Sequence, residues 1–130
     1  MTFARIVLGL TGLMFAGYGL ACLFVPSLPA GYAGMLLPDA TAVTEVVAMY
    51  GGLQAAMGGL FLYCTAKTEY LRVGLTAMVI LIGGLALSRT FGLLMHGATA
   101  YNLGAVAYEL TTTMLGVVAL RMAAGEEVAV

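Results

Sequence analysis

The chain has 130 residues, 62% of them hydrophobic and 8% charged, with a formal net charge of -1 and a mean hydropathy of +1.06. A water-soluble domain of this size has too much surface for its volume to hide so many apolar side chains, which excludes an ordinary soluble enzyme. No basic patch of the kind that binds nucleic acid is present, so no nucleic-acid partner is expected.

Four apolar runs reach the roughly 20 residues that a bilayer span needs. They lie at about 4–25, 42–65, 72–95 and 101–122. They predict an all-α fold, an integral membrane antiparallel four-helix transmembrane bundle that occupies residues 1–130 as a single domain. The first run follows Arg5 and is long for the apolar region of a signal peptide, so it is expected as transmembrane helix 1.

Between runs one and two, the stretch from Pro26 to Asp39 holds all three prolines. It is too apolar for a free loop and too broken for a span. A short interfacial segment is expected there, with Tyr32, Met35, Leu36 and Leu37 entering lipid or capping the bundle. Asp39 or Thr41 is the expected N-cap of helix 2.

Helix 2 is rich in small residues. Gly52/Ala56 and Ala55/Gly59 stand four apart, as do Gly84/Ser88 in helix 3. In lipid that spacing lets backbones approach closely, either within the bundle or at an oligomer face. Cys22 and Cys64 fall at opposite ends of spans, roughly 25–30 Å apart at 1.5 Å per residue. No disulfide joins residues that far apart, so both are expected as packing residues.

Arg5, Lys67, Arg72 and Arg121 stand at helix ends, whereas 26–41 and 97–100 carry no Lys or Arg. The positive-inside rule then puts both termini and the middle loop in the cytoplasm of a bacterial cell, with the chain in its inner membrane. A faint duplication is also visible. Arg5 opens helix 1 as Arg72 opens helix 3, and Thr44-Glu45 in helix 2 parallels Tyr108-Glu109 in helix 4.

Three ionisable residues lie inside the apolar runs: Glu45, Arg89 and Glu109. Charge within a bilayer costs a few kcal/mol per group and is kept where it pairs or functions. Counting from the helix ends, Arg89 lies roughly 10 Å deep, Glu109 roughly 12 Å and Glu45 about 5 Å, all toward one membrane face. On a 3.6-residue repeat Glu45 shares its face with Met49, Gly52, Ala56 and Gly59, and Glu109 with Ala105, Thr112, Thr113 and Gly116. Both faces are rich in small residues and are expected to point inward. Arg89 shares a face with the larger Ile82 and Leu85, so only its charge argues for turning it inward.

The three residues suit a polar site, or a buried salt bridge that sets helix register. Two acids against one base leave surplus negative charge, to be relieved by a protonated carboxyl or a bound group. Tyr50 and His96 are candidate hydrogen-bonding neighbours, His96 near the membrane surface. Gln54 points away from Glu45, and Thr111, Thr112 and Thr113 are expected to bond their own helix carbonyls. The nine methionines are scattered, with no soft-ligand cluster. No metal-ligand spacing, phosphate loop, nucleophile elbow or dinucleotide fingerprint appears, so no metal, cofactor or catalytic set is expected.

Glu45 with Met49-Tyr50-Gly51-Gly52-Leu53, Ala86-Leu87-Ser88-Arg89 with Phe91-Gly92, and Tyr108-Glu109-Leu110 carry a resemblance. Over nearly its full length the chain resembles the small bacterial four-helix membrane proteins grouped as domain of unknown function 4345, within the broader DoxX-like set. The resemblance implies a four-helix bundle with an inward polar site and supplies no established activity.

Three classes of function compete. The first is binding or carriage of a small or lipid-like molecule at a polar site in the outer leaflet. The second is an accessory or assembly subunit, docked to a membrane-protein partner or to copies of itself, with a purely structural charge cluster. The third is an intramembrane isomerase using a carboxyl as general acid and base.

Overall fold

A computed structural model describes the backbone of residues 2–128 and the side chains of residues 2–124. Five helices follow in order: α1 (Thr2–Phe24), α2 (Ser27–Ala33), α3 (Ala40–Ala66), α4 (Leu71–His96) and α5 (Ala100–Val128). Among the described residues there is no strand. Four of the helices, all but α2, are long and apolar enough to cross a membrane. Their limits fall within a few residues of the hydropathic runs, except that α5 continues to Val128.

The chain divides into two compact units, one formed by Leu10–Tyr63 and the other by the residues on either side. In the first unit α1 and α3 run antiparallel with their backbones in contact. A Cβ on Gly58 would lie 2.2 Å from the Ala16 amide nitrogen and 2.7 Å from the Gly12 oxygen. A Cβ on Gly19 would lie 2.3 Å from the amide nitrogen of Ala55, and one on Gly51 2.9 Å from Leu23 Cγ. Gly12, Ala16 and Gly19 therefore face Gly51, Ala55 and Gly58 in a seam of small residues, the arrangement that holds helices together where lipid removes the hydrophobic drive. Phe15 and Phe61 meet edge to face within it, ring centroids 6.1 Å apart.

This seam corrects the expected pairing. Ala55 belongs to it, but Gly52, Ala56 and Gly59 do not: a Cβ on Gly59 would meet nothing within 4 Å, and one on Gly52 only its own helix. Gly84 in α4 is equally open. α3 also contains a π-helical turn at Val47–Gly52, where the Leu53 amide donates to the Ala48 carbonyl five residues back. A π turn fits one extra residue, so the rest of α3 is rotated by about 100° relative to an unbroken α-helix. Val46 and Gly51, five apart, are consequently both buried, and Glu45 beside them is exposed. The expectation that Glu45 turns inward with Gly52 and Ala56 fails because the helix packs through Gly51, Ala55 and Gly58, while Glu45, Met49, Ala56 and Gly59 all lie exposed.

The proline-rich segment is an ordered element. Pro29 and Ala30 of α2 are buried, and the Tyr32 hydroxyl is hydrogen-bonded to that of Tyr18 in α1. Gly34, at φ 70°, closes α2 in the left-handed region that glycine enters without strain. Leu36 then stands 88% exposed. Asp39 caps α3, its carboxylate accepting from the Ala42 amide at 2.9 Å.

In the second unit α4 and α5 run antiparallel. Gly83 of α4 meets Thr113 of α5, and Gly116 meets Met78 and Val79. Leu71, Leu75, Met78 and Ile82 are fully buried, with Leu8 from the start of α1 and Cys64 from the end of α3 packed on Gly74. Cys22 and Cys64 are both buried thiols without a disulfide.

Candidate functional site

The apolar stripes of α4 and α5 lead directly to the site. On α4 the buried positions Leu71, Leu75, Met78, Ile82 and Ala86 step by three and four, and Arg89 is the next position on that stripe. On α5 the buried positions Glu109, Thr112, Gly116, Ala119 and Ala123 do the same. Such stepping places each stripe on one helix face. The ambiguity over Arg89 is thereby settled, because Ile82 and Ala86 on its face are wholly buried.

Arg89 and Glu109 form a forked pair. Arg89 Nε donates to Glu109 Oε1 at 2.9 Å and to Oε2 at 3.1 Å, and Nη2 lies 2.8 Å from Oε1. Charge-assisted forks of this kind are stronger and more directional than neutral hydrogen bonds. Arg89 Nη1 donates to the side-chain oxygen of Asn102 at 3.1 Å. Asn102 is itself set by the start of α5, where its amide donates to Thr99 Oγ1 at 3.2 Å. The two charges are unequally covered, for the Glu109 side chain is 5% exposed and that of Arg89 23%. The acid is the buried anchor, and the Arg89 side chain that grips it is only part-buried.

Asn102 is the residue that sequence reasoning missed. Its signal was present: Asn102, Glu109 and Gly116 stand seven apart, one heptad step along the inward stripe of α5. Thr111, Thr112 and Thr113 donate to the carbonyls of Ala107, Tyr108 and Glu109, as expected, and so add no hydroxyl to the clamp.

Of the sequence-designated residues, the structure joins Arg89 and Glu109. His96 is exposed at the last position of α4, two turns beyond Arg89. Glu45 and Tyr50 belong to the other unit, Glu45 exposed and Tyr50 half-buried in the π turn. Among the described residues no three His, Cys, Asp or Glu side chains gather as metal ligands. Chemically, the clamp presents an oriented, charge-compensated guanidinium, a group that hydrogen-bonds carbonyl, carboxylate or phosphate oxygens.

The chain matches the family described as a domain of unknown function (DUF4345) over residues 3–120. No curated protein and no solved structure matches it.

Proposed function

The chain belongs to the DUF4345 family, and we propose that it binds or carries a small or lipid-like molecule whose polar head is received by the clamp of Arg89, Glu109 and Asn102. The observation that carries this reading is the unequal burial of the pair. The Arg89 side chain is 23% exposed over an acid that is 5% exposed, which leaves the pair a side from which a ligand can approach. Glu109 fixes the guanidinium, Asn102 orients it, and an anionic or carbonyl group approaches from the exposed side of Arg89 while apolar neighbours take the body of the ligand. Burying one charge to aim another is the device that polar sites in membranes use. Arg5, Lys67, Arg72 and Arg121 at one set of helix ends favour cytoplasmic termini in a bacterial inner membrane, with the clamp in the outer half.

A second reading, an accessory subunit with a structural clamp, draws on a different observation. Gly59 and Gly84 leave open space where a side chain would fit, so small residues not used by the chain's own packing face outward. Such faces suit docking to another transmembrane helix.

Native mass spectrometry of the protein extracted gently from its own membrane separates the two. The ligand reading expects a bound small mass that Arg89→Lys loses, because lysine keeps the charge without the fork. A mass free of small molecules but shared with other polypeptides moves the assignment to the subunit reading.

A further inference from the structure

Asn102 meets the clamp with only part of its side chain's chemistry. A primary amide carries an acceptor oxygen and two N–H donors. The oxygen is engaged by Arg89 Nη1 at 3.1 Å, so what the side chain offers to an approaching molecule is N–H. The backbone amide of Asn102, bonded to Thr99 Oγ1, holds the residue in the first turn of α5. Asn102 and Arg89 are both half-buried, whereas Glu109 is buried, so the amide and the guanidinium are the clamp's accessible groups. On the same face of α5, Ala105 and Val106 stand between Asn102 and Glu109 and bring no polar side chain. Ahead of the acid, the polar chemistry of that stripe comes from Asn102.

Charge decides between the heads that such a site can hold. Glu109 lies 2.8 Å from Arg89 Nη2 and balances its charge. A carboxylate or phosphate entering beside the pair would leave the site with a net negative charge, and uncompensated charge is costly inside a bilayer. It would also be repelled by the carboxylate already in place. A neutral carbonyl oxygen accepts N–H bonds and leaves the charge balanced.

We infer that Asn102 is the specificity-determining residue of the clamp, and that the head it admits is the neutral carbonyl of an ester- or amide-bearing lipid-like molecule rather than a carboxylate or phosphate. This rests on the clamp receiving a ligand, as proposed above. The carbonyl oxygen accepts from the Asn102 amino group on the exposed side of Arg89.

The test compares two probes that share one hydrocarbon chain: oleyl acetate, a neutral ester, and oleyl phosphate, an anion at neutral pH. The full chain in detergent micelles is incubated with equal amounts of both, and retained probe is counted by native mass spectrometry. The wild type is expected to retain the ester over the phosphate, and Arg89→Lys to lose it. Asn102→Asp keeps an oxygen for Arg89 but removes the N–H donors, and is expected to lower ester retention about fivefold, the weight of one hydrogen bond. Asn102→Leu removes the donors without adding charge and is expected to lower it as much. Unchanged helical circular dichroism checks that the variants fold. Phosphate retained as well as the ester or better, and lost in Arg89→Lys, overturns the carbonyl assignment while the clamp stands as a ligand site. Ester retention unchanged in either Asn102 variant overturns the role of Asn102. Neither probe retained above the Arg89→Lys level overturns the assignment together with the ligand reading itself.

Discussion

The Arg89 guanidinium holds the Glu109 carboxylate across α4 and α5 through contacts of 2.8, 2.9 and 3.1 Å, with the acid nearly buried and the base partly open. Removing the acid's charge therefore strands a cation in an apolar span. Glu109→Gln is expected to lower stability by about 3–5 kcal/mol, the cost of breaking a buried pair from one side. Unfolding in mixed detergent micelles, followed by circular dichroism, measures it. A loss no larger than that of an exposed substitution contradicts the geometry.

Asn102 contributes one neutral side chain to the same cation, at 3.1 Å from Nη1. Asn102→Leu is expected to cost about 1.5–3 kcal/mol, the range for a hydrogen bond to a charged group. The same unfolding measurement should rank it below Glu109→Gln. An equal or larger loss gives Asn102 a packing role that the structure does not assign.

The seam between α1 and α3 makes two neighbouring glycines inequivalent. A methyl on Gly58 would lie 2.2 Å from backbone, whereas one on Gly59 meets nothing within 4 Å. Gly58→Ala is expected to destabilise by about 1–3 kcal/mol through overpacking. Gly59→Ala is expected to be neutral or to stabilise by up to about 1 kcal/mol, because alanine is the better helix former. Thermal unfolding of the two variants side by side checks the contrast.

Much of this architecture was legible in the sequence because bilayer thickness dictates span length, and intramembrane charge has few tolerable placements. The four spans and the pairing of Arg89 with Glu109 follow from those two constraints. The facing of Glu45 was not legible, because α3 carries small residues on two adjacent faces and packs through Gly51, Ala55 and Gly58 rather than Gly52, Ala56 and Gly59. Asn102 escaped notice because a neutral amide near a helix start usually reads as a cap, and only its heptad step to Glu109 ties it to the clamp.

Tyr32 ties α2 to α1 through the hydroxyl of Tyr18. Partial burial raises the Tyr32 phenol above its ordinary value. The folded state thus holds this proton more tightly than the unfolded chain, so its contribution is complete below the ordinary phenol pKa of about 10 and is lost as pH rises through the raised one. Tyr32→Phe is expected to cost about 1 kcal/mol at neutral pH through the lost hydrogen bond. The variant should also show a smaller alkaline loss of stability than the wild type, read from unfolding curves on either side of that range. An alkaline loss equal to that of the wild type removes Tyr32 from the explanation.

The central claim, that Arg89 and Glu109 act as one unit, is tested most directly by a double-mutant cycle of Arg89→Ala and Glu109→Ala in micellar unfolding. Each single substitution is expected to cost about 3–5 kcal/mol because it leaves a buried charge alone. The double variant should recover part of that loss, giving a coupling of more than about 1 kcal/mol. A double variant whose loss equals the sum of the two singles would show that the residues do not pair, and would contradict both the clamp and the function built on it.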